Sequence, residues 1–155
     1  IGITRPTFEE YPNRRDKDSL VTFIPQNDEF RYTAQDLMNF FEKNHADNIL
    51  LINPDNPSGN FIPMKDVCML ADWCEKRGVR LIVDESFVDF SIGYEDNTCL
   101  DDKLLETYPD MCVIKSISKS YGVPGLRLGI LCSADVSLIA KMKKQVSIWN
   151  INSFA

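Results

Sequence analysis

The sequence predicts an α/β fold, a three-layer sandwich in which helices cover a mostly parallel sheet. The first observation is a set of short apolar runs rich in β-branched residues, which are typical of strands buried on both faces. These runs are residues 20–24, 48–52, 79–83, 113–117 and 126–131. The second observation is that apolar residues recur at helical spacing between the runs. Because strand alternates with helix, we expect right-handed crossovers and parallel strands.

The predicted elements follow one another along the chain. Residues from Ile1 onward already have a strand pattern, and the first apolar helical stripe covers 34–41. The second helix is predicted to start near Pro63 and to stop at Gly78, since proline favours the first helical turn and glycine favours the position after the last. A last helix is predicted over 136–146. The order of elements is therefore a βαβ succession within one domain.

Composition excludes several classes of protein. The 155 residues carry a net charge of −6 and a pI near 4.8, which argues against nucleic-acid binding, because phosphate backbones are bound by basic faces. No apolar run approaches the roughly 20 residues of a membrane span. The five cysteines lack the C-x-x-C spacing typical of zinc sites, so we expect no metal. Without a signal-peptide pattern, a soluble cytoplasmic protein is expected, with 91–102 as an exposed acidic excursion.

Both ends of the sequence suggest a piece of a longer polypeptide. Ile1 already belongs to a strand pattern, and residues 147–155 stop within an apolar pattern without a turn or a helix stop. We therefore expect residues 1–155 to be the central part of one larger domain.

Unusual polar residues follow three of the predicted strands. The run 53–59 contains two prolines and a glycine and presents Asn53, Asp55, Asn56 and Ser58 in a tight loop, although turn formation alone would explain it. Asp84 and Glu85 follow the strand 79–83, and one of them could simply cap a helix. Because ligands bind outside the carboxyl ends of strands in such sheets, these residues are candidates for a site.

The third strand end carries the most informative group. Lys119 alone would mean little, since most lysines lie on the surface. Ser116, Ser118 and Arg127, however, form a donor set suited to a phosphate dianion. An amine beside such a cation is a good nucleophile for carbonyl groups, as Schiff-base chemistry requires. Three loops thus predict one site that contains a phosphate clamp, an amine, an acid and an amide.

These residues resemble the motifs of fold-type I pyridoxal-phosphate enzymes, specifically the class I/II aminotransferases. The pattern N-P-x-N-P-S/T-G stands at 53–59, and D-E-x-Y/F stands at 84–87. The pattern S-x-S-K stands at 116–119 and is followed by G-x-R-x-G at 125–129. The three motifs occur in the family's order and the match covers nearly the whole chain.

The resemblance implies a role for each candidate residue. Lys119 would form the Schiff base with pyridoxal 5′-phosphate and then shuttle a proton at the substrate α-carbon. Asp84 would pair with the pyridine nitrogen, and Asn56 would bind the ring 3-hydroxyl. The cofactor phosphate would be held by Ser116, Ser118 and Arg127.

Two aromatic positions complete the implied cofactor site. Phe8 stands where the family places an aromatic residue stacked on the ring, with Tyr11 as the competing candidate, and either could be a core residue. Phe87 stands where many aminotransferases have a tyrosine that also bonds the 3-hydroxyl, so that hydrogen bond is absent here. With phenylalanine at this position, the stretches 84–90 and 118–129 resemble the branch that contains histidinol-phosphate aminotransferases and threonine-phosphate decarboxylases.

The expected activity is transamination between an amino acid, with or without a phosphate or phosphonate group, and a 2-oxo acid. The alternatives are decarboxylation of an amino-acid phosphate such as threonine phosphate, and a non-catalytic domain that retains the fold. The resemblance also implies a homodimer, a glycine-rich phosphate turn before residue 1, and a small domain with a carboxylate-binding arginine after residue 155. We therefore expect the isolated fragment to be inactive.

Overall fold

The computed structural model describes residues 1–146 and 151–153, without the side chain of Tyr94. Most of the terminal run 147–155 therefore lies outside the described residues. No helix of the described part is long and apolar enough to cross a membrane.

A six-stranded sheet forms the centre of the described part, and its strand order is β2-β1-β3-β4-β5-β6. The first five strands pair in parallel, whereas β6 runs antiparallel to β5. The strands are β1 Gly2–Thr4, β2 Val21–Phe23, β3 Asn48–Ile52, β4 Arg80–Asp84, β5 Cys112–Ser116 and β6 Gly129–Cys132. This mostly parallel sheet with its helices confirms the predicted fold class.

The helices connect the strands as the crossovers require. They are α1 Glu10–Asn13, α2 Ala34–Lys43, α3 Met64–Glu75, α4 Asp102–Thr107, α5 Ile117–Ser120 and α6 Val136–Lys143. Helix α2 begins at a capping box, in which Thr33 accepts from the Asp36 backbone N–H and Asp36 accepts from the Thr33 backbone N–H. Pro63 precedes α3, and Gly78 ends that segment with a φ of +64°, which only glycine adopts without strain. The predicted start and stop of this helix are therefore confirmed.

Most of the core lies on one face of the sheet, beneath α2, α3 and α4. Leu51, Leu70 and Val113 are completely buried there. A smaller cluster covers the opposite face, where Ile3 and Leu50 contact Tyr11 of α1. Burial of these apolar side chains stabilises the sheet by removing their surface from water. The central strands β3 and β4 are thus held rigidly, and the residues that follow them inherit fixed positions.

Two of the predicted core strands differ from the prediction. β2 is an edge strand whose residues are only half-buried, so it is not covered on both faces. The run 126–131 is strand only from Gly129 onward, because Arg127 adopts a left-handed conformation with a φ of 53°. Both runs were predicted as core strands but lie at the edges of the sheet. The prediction was wrong because an apolar run does not distinguish a central strand from an edge strand.

The excursion 91–102 is also less exposed than predicted. Ile92 is fully exposed, but Cys99 is 2% exposed as a member of the main core, and its backbone N–H donates to the buried carboxylate of Glu85. The segment is therefore tied back to the end of β4.

Candidate active site

A pocket of about 700 Å³ opens at the carboxyl ends of β4 and β5. It collects residues from four separate parts of the chain: Phe8, Tyr11, Asn56, Asp84, Ser86, Ile114, Lys115, Ser116, Ser118, Lys119, Gly122, Pro124, Arg127, Leu128 and Gly129. Parallel strands end at the same edge, so side chains distant in sequence meet there. Seven of the eight predicted site residues line this pocket, and the eighth, Phe87, lies against Lys119. Their roles toward a cofactor stay predictions.

Asp84 is the last residue of β4 and is 7% exposed. Its Oδ1 accepts a hydrogen bond of 2.9 Å from the Ser86 backbone N–H, and its Oδ2 accepts one of 2.5 Å from the Tyr11 hydroxyl. Burial, with the nearby Asp84 charge, raises the pKa of Tyr11 above its usual range, so the phenol keeps its proton and remains the donor. Two donors therefore fix the plane of this carboxylate.

Lys119 lies in α5, directly after β5, where its amine meets two aromatic rings. The Nζ atom is 4.3 Å from the centroid of the Phe87 ring and 5.8 Å from that of Phe8. Aromatic faces attract an ammonium group at such distances. The amine is thus directed to the pocket by apolar neighbours.

The donor group predicted to bind phosphate lies beside Lys119. Ser118 is 6% exposed, and its hydroxyl donates to the Leu128 carbonyl over 3.4 Å. The Arg127 guanidinium donates to the Pro124 carbonyl over 3.3 Å. Among the ion pairs of residues 1–146 and 151–153, none includes Lys119 or Arg127. Two cations that pair with no carboxylate of the described chain, together with the hydroxyl donors, form a donor set that fits a phosphate dianion.

The loop 53–59 presents only Asn56 to the pocket. Asn53 is instead turned inward, where its amide donates to the Ile62 carbonyl and its oxygen accepts from the Ile62 N–H, each over 2.8 Å. Asp55 is also buried, where its carboxylate accepts from the Ser58 hydroxyl, and burial raises its pKa. The prediction that the loop presents all four polar residues was therefore wrong, because three of them stabilise the loop itself.

The two carboxylates after β4 have different environments. Glu85 is 1% exposed and accepts hydrogen bonds of 2.7 Å from the Thr98 hydroxyl and 2.6 Å from the Cys99 N–H. Burial raises the pKa of Glu85 despite these donors. Adjacent residues at a strand end point to opposite sides, so only Asp84 lines the pocket, and neither residue caps a helix.

Sequence reasoning missed two polar residues of the site and the polar role of a third. Ser86 positions Asp84 through its N–H and also accepts a hydrogen bond of 2.9 Å from the Ser116 N–H. Lys115 lines the pocket, although its place within an apolar run indicated only a strand. Tyr11 was considered only for ring stacking, whereas its hydroxyl binds Asp84. Phe8, 45% exposed, remains the candidate for stacking.

Comparison with known proteins identifies the family of this chain. The family model described as aminotransferase class I and II matches residues 1–155. An L-serine phosphate decarboxylase of Sulfurospirillum multivorans is 33% identical, over 98% of this chain and 39% of the relative.

Two solved structures share the fold. The histidinol-phosphate aminotransferase of Clostridium acetobutylicum is 25% identical with a TM-score of 0.85, over 100% of this chain and 45% of that one. The histidinol-phosphate aminotransferase of Sinorhizobium meliloti, solved in complex with pyridoxal-5′-phosphate, is 21% identical with a TM-score of 0.75, over 96% and 39% of the two chains. This chain thus spans less than half of each relative. The match of the family model over its whole length establishes that the chain belongs to the class I and II aminotransferase family.

Proposed function

We propose that the full-length protein is a pyridoxal-phosphate enzyme that acts at the α-carbon of a small amino acid. The observation that carries the proposal is that one pocket is lined by Lys119, Asp84 and Asn56 together with the donors Ser116, Ser118 and Arg127. The family supports the same cofactor, since the S. meliloti relative has it bound. When bound, the cofactor supplies an electron sink for the pair of electrons left at the α-carbon.

Lys119 would hold the cofactor through its amine and would then accept and return the proton at the α-carbon. The rings of Phe8 and Phe87, 5.8 Å and 4.3 Å from its Nζ atom, attract the amine to the pocket, although Lys119 itself is exposed. No other lysine of the described part besides Lys115 lines the pocket, and the Lys115 amine already donates to Asp89.

Asp84 would face the ring nitrogen of the cofactor. A carboxylate at that nitrogen favours the protonated ring, and the hydrogen bonds from Tyr11 and Ser86 hold the carboxylate in one orientation. Ser116, Ser118 and Arg127 would bind the phosphate, and Asn56 the 3-hydroxyl. These roles follow the motif residues of the family, and none of them requires a metal ion.

The reaction we propose first is transamination, in which the amino group passes to a 2-oxo acid. A second candidate is decarboxylation of an amino-acid phosphate, which the 33% identity with an L-serine phosphate decarboxylase favours. Phe87, which lacks the hydroxyl of the usual tyrosine, supports the same branch. The cofactor-binding residues serve both reactions, because either one leaves electrons at the α-carbon.

We further propose that residues 1–155 form the central part of the cofactor-binding domain of a cytoplasmic homodimer. The coverage of 39% and 45% in two relatives supports a longer functional protein.

The test uses the full-length protein, incubated with pyridoxal phosphate, reduced with borohydride and digested for peptide mass measurement. We expect one adduct, at Lys119, lost in Lys119→Ala and retained in Lys141→Ala, which removes an exposed lysine of α6. Absence of any adduct in the folded protein would leave the non-catalytic alternative, and an adduct at another lysine would refute the assignment.

The two reactions are then separated by their products. Transamination consumes a 2-oxo acid and returns an amino acid without gas release, whereas decarboxylation of serine phosphate or threonine phosphate releases carbon dioxide without an acceptor. Carbon dioxide release without acceptor turnover would exclude transamination as the main activity.

A further inference from the structure

One carboxylate binds both ends of the segment that carries Lys119. Lys115, four residues before Lys119, donates to Asp89 Oδ1 over 2.7 Å. Ser120, the residue after Lys119, donates its hydroxyl to Asp89 Oδ2. The two oxygens of Asp89 therefore connect the end of the strand β5 to the end of α5. We call the group Lys115, Asp89 and Ser120 the Asp89 clamp.

The start of the segment that Lys119 occupies is also held at Leu128, whose carbonyl accepts hydrogen bonds of 3.1 Å from the Ile117 N–H and 3.4 Å from the Ser118 hydroxyl. Helix α5 has only four residues, and Ser118 is its one buried member. Tyr121, the next residue, is 72% exposed. A helix of one turn is not stable by itself, so its position depends on side-chain contacts. The Asp89 clamp supplies two of these contacts.

Asp89 itself belongs to a well-packed part of the chain. It lies in a 3₁₀ helix, Val88–Phe90, whose first residue is completely buried. This helix follows Glu85, whose N–H donates to the Ile114 carbonyl over 2.9 Å. Partial burial would raise the pKa of Asp89, but hydrogen bonds from Lys115 and Ser120 hold it below its usual range, so the carboxylate is ionised at neutral pH.

The same 3₁₀ segment also positions an apolar neighbour of the amine. Phe87 directly precedes the helix of Asp89, and its ring centroid is 4.3 Å from Lys119 Nζ. A shift of α5 away from Asp89 would therefore also separate the amine from Phe87.

We propose that Asp89 is a positioning residue for Lys119: through Lys115 and Ser120 it fixes α5, so that the lysine amine stays in the pocket beside Phe87. The inference rests on the proposed function, in which the Lys119 amine condenses with the cofactor carbonyl and water is released. Asp89 is not among the residues that line the pocket, and its side chain bonds Lys115 and Ser120 rather than Lys119. Its contribution is to reduce the freedom that a flexible lysine must lose in order to react.

The test is a double-mutant cycle on cofactor affinity in the full-length protein. Asp89→Asn removes the charge, and Ser120→Ala removes one contact with little change of volume. With Lys119 present, we expect Asp89→Asn to weaken binding of pyridoxal phosphate about tenfold, and Ser120→Ala to weaken it less. In the Lys119→Ala background, where the covalent bond is absent, the same changes should have no effect. Equal weakening in both backgrounds, or no weakening with Lys119 present, would overturn the proposal.

A matched control separates this effect from the loss of any ion pair. Asp135 has nearly the same side-chain exposure as Asp89, 22% against 23%, and pairs with Arg80 at 2.9 Å. Asp135→Asn should leave cofactor affinity unchanged. A loss equal to that of Asp89→Asn would refute a specific role for Asp89.

A second measurement does not depend on the cofactor. Amide hydrogen exchange of the apoprotein should be about tenfold faster in the peptide that contains α5 when Asp89 is replaced, and unchanged in α2 and α3. Unchanged exchange in α5 would overturn the clamp even if the cofactor binds, and faster exchange would support it even if the protein never bound pyridoxal phosphate.

Discussion

Replacement of Asp55 by asparagine should stabilise the protein at neutral and alkaline pH. Asp55 is 5% exposed, and its buried Oδ1 has no hydrogen-bond partner among the described residues, while Oδ2 accepts from the Ser58 hydroxyl. An unsatisfied buried acceptor costs about 1–3 kcal/mol, and more when it is charged. Asparagine keeps one oxygen for the Ser58 hydroxyl and removes the charge. We expect a gain of about 1 kcal/mol in the free energy of unfolding at about pH 8.

The direction of the pH dependence follows from the pKa of Asp55. Burial raises that pKa above its ordinary value of 3.8, so the folded state binds the proton more tightly than the unfolded state. The stability that this proton supplies is present below the unfolded pKa and is lost as the pH rises through the folded pKa. The advantage of Asp55→Asn should therefore be near zero at about pH 4 and complete at about pH 8.

The measurement is thermal unfolding of the full-length protein without cofactor, at several pH values between these limits. Because the full-length protein is proposed to be more than twice as long as these 155 residues, a gain of about 1 kcal/mol corresponds to a rise of about 1–2 °C in the midpoint. Asp28→Asn, at an exposed aspartate, makes the same change of charge and should leave the midpoint unchanged. A gain that is independent of pH, or a loss at about pH 8, would refute the reasoning from the buried charge.

Two further predictions concern packing and the site. Gly2→Ala should destabilise the fold by about 1–3 kcal/mol, since the new Cβ would lie 2.4 Å from Cε1 of Phe41. Gly125→Ala, whose new Cβ would have no described atom within 4 Å, should leave the unfolding midpoint nearly unchanged, and equal midpoints for the two variants would contradict this packing. Tyr11→Phe should weaken pyridoxal phosphate binding about tenfold, because Asp84 loses one of its two donors, and the loss should be constant from neutral to mildly alkaline pH because the pKa of the phenol is raised; an unchanged dissociation constant in a fluorescence titration would show that this hydrogen bond does not matter for binding.

Much of the fold was predictable because the information is local. Apolar β-branched runs gave the central strands at 48–52 and 79–83, and the proline and glycine around α3 gave its limits. The edges of the sheet were predicted less well, since an edge strand and a central strand can have the same apolar run. The antiparallel direction of β6 was also not visible, because strand direction depends on how the connection returns to the sheet.

The candidate site was likewise predictable only where the information is local in the sequence. The family and the residues of its three motifs could be identified from the sequence, because the order and spacing of the motifs are local properties of the chain. The three-dimensional fold was needed to show which neighbouring residues face the pocket: Asn56 does and Asp55 does not, because the loop uses Asp55 for its own hydrogen bonds. The fold also brings Asp89 into hydrogen-bond contact with Lys115, 26 residues later in the chain. No local pattern predicts such a contact, because it depends on the packing of β4 beside β5, which brings distant residues to one edge of the sheet.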